Sequence, residues 1–160
     1  MKTLALLSAL PFLFASPGMA QDSYTGPRPP KPDVPYLVHA DNLVETEVTT
    51  AREERKGKNA TAYIAGAASP VRTPMAEPIF LYEFGKIPAE SLQLFRLEVK
   101  GGNREVSLSD RRGGRPLRLM LKQLSGRLYR IEVNEGLGLE NGEYSLSPNG
   151  SSAVFCFAVY

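Results

Sequence analysis

From residue 36 onward the chain repeats one pattern. Four to nine residues alternate between apolar and polar, and a short group rich in glycine, proline, asparagine or serine follows. Alternation with a period of two sends successive side chains to opposite faces of a strand. In residues 94–100, Phe95, Leu97 and Val99 take one face while Arg96, Glu98 and Lys100 take the other. Leu117, Leu119 and Leu121 alternate in the same way with Arg118, Met120 and Lys122, and Tyr129, Ile131 and Val133 with Arg130 and Glu132. Residues 36–40, 60–65, 78–82, 104–108 and 143–146 read as further strands. Residues 153–159 (AVFCFAV) are apolar on both faces, as a central buried strand would be. Residues 43–55 set Val44, Thr46, Val48 and Thr50 against Glu45, Glu47 and Thr49. Their β-branched residues favour one long strand over a helix capped by Asp41. One helical turn is predicted over residues 88–91, and residues 66–74 read as loop. Turn signals recur roughly every ten residues and separate about nine short strands, with no alternation of strand and helix. The predicted fold is therefore all-β, an antiparallel β-sandwich. Within residues 139–144 (LENGEY), Tyr144 stands where a tyrosine corner closes an immunoglobulin-like sandwich by bonding back to the preceding loop.

The N-terminus follows different rules. Lys2 precedes a short apolar stretch over residues 4–14, and Gly18-Met19-Ala20 places small residues where a signal peptidase reads them. This pattern predicts an export signal over residues 1–20, cleaved between Ala20 and Gln21. Pro11 and Pro17 interrupt the run, which falls short of the ~20 apolar residues of a spanning helix. Residues 21–35 (QDSYTGPRPPKPDVP) hold five prolines and read as an extended tether ahead of a single domain over residues 36–160. The one cysteine, Cys156, lies between Phe155 and Phe157 and reads as a small buried hydrophobe. An exported domain without cysteine pairs suggests a bacterial envelope or secreted protein, periplasmic or extracellular.

Several segments resemble parts of small exported bacterial proteins of unknown function. They are Ser69-Pro70, residues 78–82 (PIFLY), 103–106 (NREV), 142–148 (GEYSLSP) and 154–157 (VFCF). The resemblance implies a β-sandwich and an envelope or secreted location, and it carries over no site residue.

Composition narrows the chemistry by exclusion. At 42% hydrophobic residues the chain is too apolar to be disordered. One cysteine and one histidine exclude a four-cysteine zinc site and a histidine-rich metal centre, and no cofactor is implied. His39, in a short strand, has no nucleophile-elbow serine to serve and reads as structural. Glu45 and Glu47 read as neighbours on one solvated strand face, so a hydrolase built on Glu45, Glu47 and His39 ranks last. Net charge is only +2, which does not suggest a nucleic-acid binder. The charge is nevertheless uneven along the chain: residues 96–130 hold ten basic and three acidic residues, and residues 131–160 hold four acidic and no basic ones. Arg111, Arg112, Arg115 and Arg118 form the candidate binding group. They would meet an anionic glycan or lipid surface, or another envelope protein. The expected function is a non-catalytic binding or structural module of the bacterial envelope, with anion or polysaccharide binding through the arginine loop as the alternative.

Overall fold

The computed structural model describes residues 24–109, 114–134, 136 and 138–160. These contain thirteen strands: β1 (Pro35–His39), β2 (Asn42–Glu45), β3 (Glu47–Thr50), β4 (Arg52–Lys56), β5 (Asn59–Ala65), β6 (Arg72–Thr73), β7 (Ile79–Glu83), β8 (Leu92–Lys100), β9 (Asn103–Ser107), β10 (Leu119–Ser125), β11 (Leu128–Val133), β12 (Gly142–Pro148) and β13 (Ala153–Val159). A single 3-10 turn covers Ala89–Ser91, within the predicted helical turn. The fold is all-β, as the alternation predicts, and is built from two sheets. A five-stranded sheet has the order β10-β11-β7-β1-β2. An eight-stranded sheet runs β3-β13-β12-β8-β9-β5-β4, with β6 added in parallel beside β13.

Part of the excess over about nine strands comes from residues 43–55, which do not form one strand. The chain leaves the five-stranded sheet at Thr46, whose buried hydroxyl donates to the Pro35 carbonyl at 2.8 Å. It next runs along one edge of the eight-stranded sheet as β3. After Ala51 alone it enters β4, which is the opposite edge of that same sheet. Two Cα steps cover at most roughly 7.6 Å, so the two edges converge at this corner and the sheet curls into a half-barrel. Residues 72–73, expected as loop, supply the parallel strand.

Curling gives the central strands β8, β12 and β13 two covered faces. Leu92, Leu94, Tyr144, Leu146, Phe155 and Phe157 meet Leu37, Phe80, Tyr82 and Ile131 of the other sheet in the main core. Phe157 packs edge-on to Phe80 at 5.1 Å and stacks on Tyr144 at 5.6 Å between centroids. The alternate residues Leu97, Val154 and Cys156 point the other way and join Ile64 and Val106 in a second core inside the half-barrel. The apolar character of both faces of residues 153–159 follows directly. Tyr144 is buried and donates its hydroxyl to the Glu140 carbonyl at 2.7 Å, the local corner expected from residues 139–144.

The proline-rich residues lie against the outer face of the five-stranded sheet. Tyr24 and Pro27 sit over Val38 and Leu81, and Pro29 is buried. Arg28 pairs with Glu83 at 3.4 Å and Lys31 with Glu45 at 2.8 Å. Asp33, at φ 61°, ends this stretch: its carboxylate accepts the backbone N–H groups of Gly85, Lys86 and Ile87 at 2.8–2.9 Å.

Candidate functional site

The inside of the half-barrel has two ends of opposite character. Along β5 and β9, Ala62 faces Val106, and one inward pair further on Ile64 faces Arg104. Along β8 and β12, Gln93 faces Ser147, Phe95 faces Ser145 and Leu97 faces Glu143. The strands therefore carry small and apolar groups towards one end and a buried ionic cluster at the other.

At the ionic end the Arg104 side chain is completely buried. Its guanidinium forks onto Glu47, with Nη1 to Oε2 at 2.6 Å and Nη2 to Oε1 at 2.9 Å. Nε donates to the Gly66 carbonyl at 3.0 Å and Nη2 to the Ala65 carbonyl at 2.9 Å. Glu143 stands 3.8 Å from Nη1 and accepts the Ser69 backbone N–H at 2.9 Å. Burial alone would raise the Glu47 carboxyl, but the bonds from Arg104 outweigh it and hold the group below its ordinary range. Burial likewise pushes the nearby Cys156 thiol up to about 12, so it stays protonated. With four hydrogen bonds from Arg104 and the nearby Glu143, this cluster is a latch that ties the β3 edge to β9, β12 and the loop after β5.

At the other end lies an open chamber of about 500 Å³. Its walls are Ala51, Ala62, Phe95, Val106 and Val154, all members of the inner core or packed against it. The polar part of its lining, the lip, carries Glu53, Asn149 and Ser151 together with the inward-facing Gln93 and Ser147 of β8 and β12. Glu53, the one ionisable side chain in that lining, is paired with Arg55 at 2.6 Å. The chamber exists because the residues between β12 and β13 arch over one end and because Ala51 and Ala62 are too small to fill it. Its volume falls within the range of single-ligand pockets.

One wall of the half-barrel is split. β9 pairs with β8 only over Glu98–Lys100 of β8, so the earlier half of β8 has no strand on that side. Residues 114–117 cross the gap instead: Gly114 N–H donates to the Ser107 carbonyl and Leu117 N–H to the Leu94 carbonyl, both at 2.7 Å. Gly114 passes so close to Val106 that a Cβ there would lie 2.6 Å from Val106 Cγ2.

The predicted arginine group is only partly visible. Arg111 and Arg112 lie outside the described residues. Arg115 and Arg118 are exposed, and the Arg118 carbonyl accepts the Asn134 N–H at 2.9 Å. The uneven charge along the chain is stitched together in space, because Arg96 pairs with Glu140, Arg104 with Glu143 and Arg130 with Glu132. Glu45 and Glu47 do not share a face: Glu45 belongs to the five-stranded sheet beside Lys31 and Tyr36, while Glu47 belongs to the latch. His39 shares a hydrogen bond of 3.0 Å with the Thr73 hydroxyl, remote in the pairing scheme from either glutamate's ion pair. Among the described residues no cluster of three His, Cys, Asp or Glu side chains could hold a metal ion, and no helix is long and apolar enough to cross a membrane.

The chamber residues escaped the sequence reading. Their one trace is the strand that is apolar on both faces, which requires a second covered side. No protein-family model, curated protein or solved structure matches the chain.

Proposed function

We propose that the protein is an exported, non-catalytic binding module of the bacterial envelope, and that the half-barrel chamber is its binding site. The observation that carries this reading is a chamber with apolar walls and a polar lip, in a domain whose opposite end is closed by a buried ionic latch. Pockets of this kind, apolar with a few placed polar groups, are the ordinary form of small-molecule sites. The signal pattern over residues 1–20 supports export. The buried Tyr144 corner supports assigning the sandwich to the immunoglobulin-like class, and the segments resembling small exported bacterial proteins support the same setting.

The chamber reading stands ahead of anion binding by the arginine loop, because the chamber is a concave site, whereas Arg115 and Arg118 are exposed on the surface. It also stands ahead of hydrolysis, since His39 meets a threonine hydroxyl and not a carboxylate. The mature protein should be inactive across esterase, glycosidase and peptidase substrates. Turnover that is abolished by His39→Ala would overturn the non-catalytic reading.

A further inference from the structure

The polarity of the chamber points to the class of its ligand. The five wall residues offer no side-chain hydrogen-bond donor or acceptor to a guest. A sugar or other polyol seated against them would leave its hydroxyls desolvated and unpaired. The lip, by contrast, presents serine hydroxyls together with the amides of Gln93 and Asn149. These groups can both donate and accept. Among the described lining residues the one ionisable group, Glu53, is paired with Arg55, so a charged head would find no free counter-charge there. It would be partly desolvated there without compensation.

We propose that the chamber binds one neutral amphiphile: a single acyl chain or similarly slender apolar body, entering the half-barrel tail first, with an uncharged hydroxyl- or amide-bearing head held at the lip. The volume of about 500 Å³ suits one such chain. This inference rests on the chamber being the binding site and adds the chemistry of its occupant.

The test follows the methyl resonances of Ala51, Ala62, Val106 and Val154 in the intact mature protein. Four probes of matched length or size are titrated below their micellar concentrations: monodecanoylglycerol, decanoate, decyltrimethylammonium and maltotriose. The expected result is saturable shifts in the chamber methyls with monodecanoylglycerol, and binding at least about tenfold weaker with the other three. Ala62→Phe, which fills the chamber, should weaken monodecanoylglycerol binding by about tenfold or more. Ala51→Leu does the same job if the phenylalanine perturbs the amide spectrum. Chamber shifts of equal or greater affinity with decanoate, the ammonium or the sugar would overturn the ligand class while leaving the binding module intact. Chamber methyls that respond to none of the probes, or monodecanoylglycerol that is cleaved, would overturn both.

Discussion

Arg104 shows at the scale of one residue how a charge becomes part of a core. It is the bulkiest of the completely buried side chains among the described residues, and its guanidinium makes four hydrogen bonds. Two of its acceptors are the backbone carbonyls of Ala65, the last residue of β5, and Gly66, just beyond it, so the arginine holds the start of that loop as well as Glu47. A lysine would not substitute, because an ammonium cannot present the flat fork that meets both carboxylate oxygens. Replacing it by methionine keeps most of the volume but strands Glu47 without its partner. Arg104→Met should therefore lower the free energy of unfolding by about 3–5 kcal/mol, measured by urea denaturation. Adding Glu47→Met to it should restore a substantial part of that loss, since the unpaired carboxylate is then gone. A double variant no more stable than the single one would show that the loop contacts dominate.

At the scale of elements, short polar contacts decide where strands stop. Residues 43–55 have a continuous strand pattern, yet they break at Thr46 and Ala51 because each break moves the chain to a different sheet edge. Period-two alternation says which residues share a face and nothing about which edge receives them. The turn after β7 is controlled by Asp33, some fifty residues away in sequence. Its carboxylate fits only because Gly85 lacks a side chain: a Cβ there would lie 2.6 Å from Asp33 Oδ2. Gly85→Ala should push the carboxylate away from three backbone donors and cost about 1–3 kcal/mol in urea denaturation. Asp33→Ala should cost a similar amount, and the two changes together should cost less than their sum because they remove the same contacts.

For the whole molecule, two carboxylates pin segments distant in sequence, and both should make the fold acid-sensitive. Burial opposes ionisation of Asp33, but the N–H groups of Ile87, Lys86 and Gly85 and the Tyr82 hydroxyl hold it below its ordinary value of 3.8. Glu47 is held below 4.5 by Arg104 against the same opposition. A carboxyl depressed in the folded state contributes stability above its unfolded pKa, and that contribution disappears as pH falls through the folded value. The urea midpoint should thus be steady near neutrality and drop below about pH 4.5. In an Asp33→Asn, Glu47→Gln variant the protein should be less stable at pH 7 and its midpoint should vary less with acid. Equal slopes for the two proteins would remove these groups as the cause.

Local alternation and turn residues, read along the chain, determined that this protein is all-β, where most strands lie, that residues 153–159 are buried on both faces and that Tyr144 closes a corner. These properties depend on side-chain period and backbone freedom, which neighbours in sequence set. Only the tertiary structure decided that β3 and β4 occupy opposite edges of one sheet, that its curl encloses a chamber, and that Arg96 and Arg104 of the basic middle meet Glu140 and Glu143 of the acidic end. Those properties depend on pairing across long loops. An exposed alanine and one lining a chamber look alike until the opposite wall is in place, and a glutamate reads as solvated until its arginine arrives from another strand.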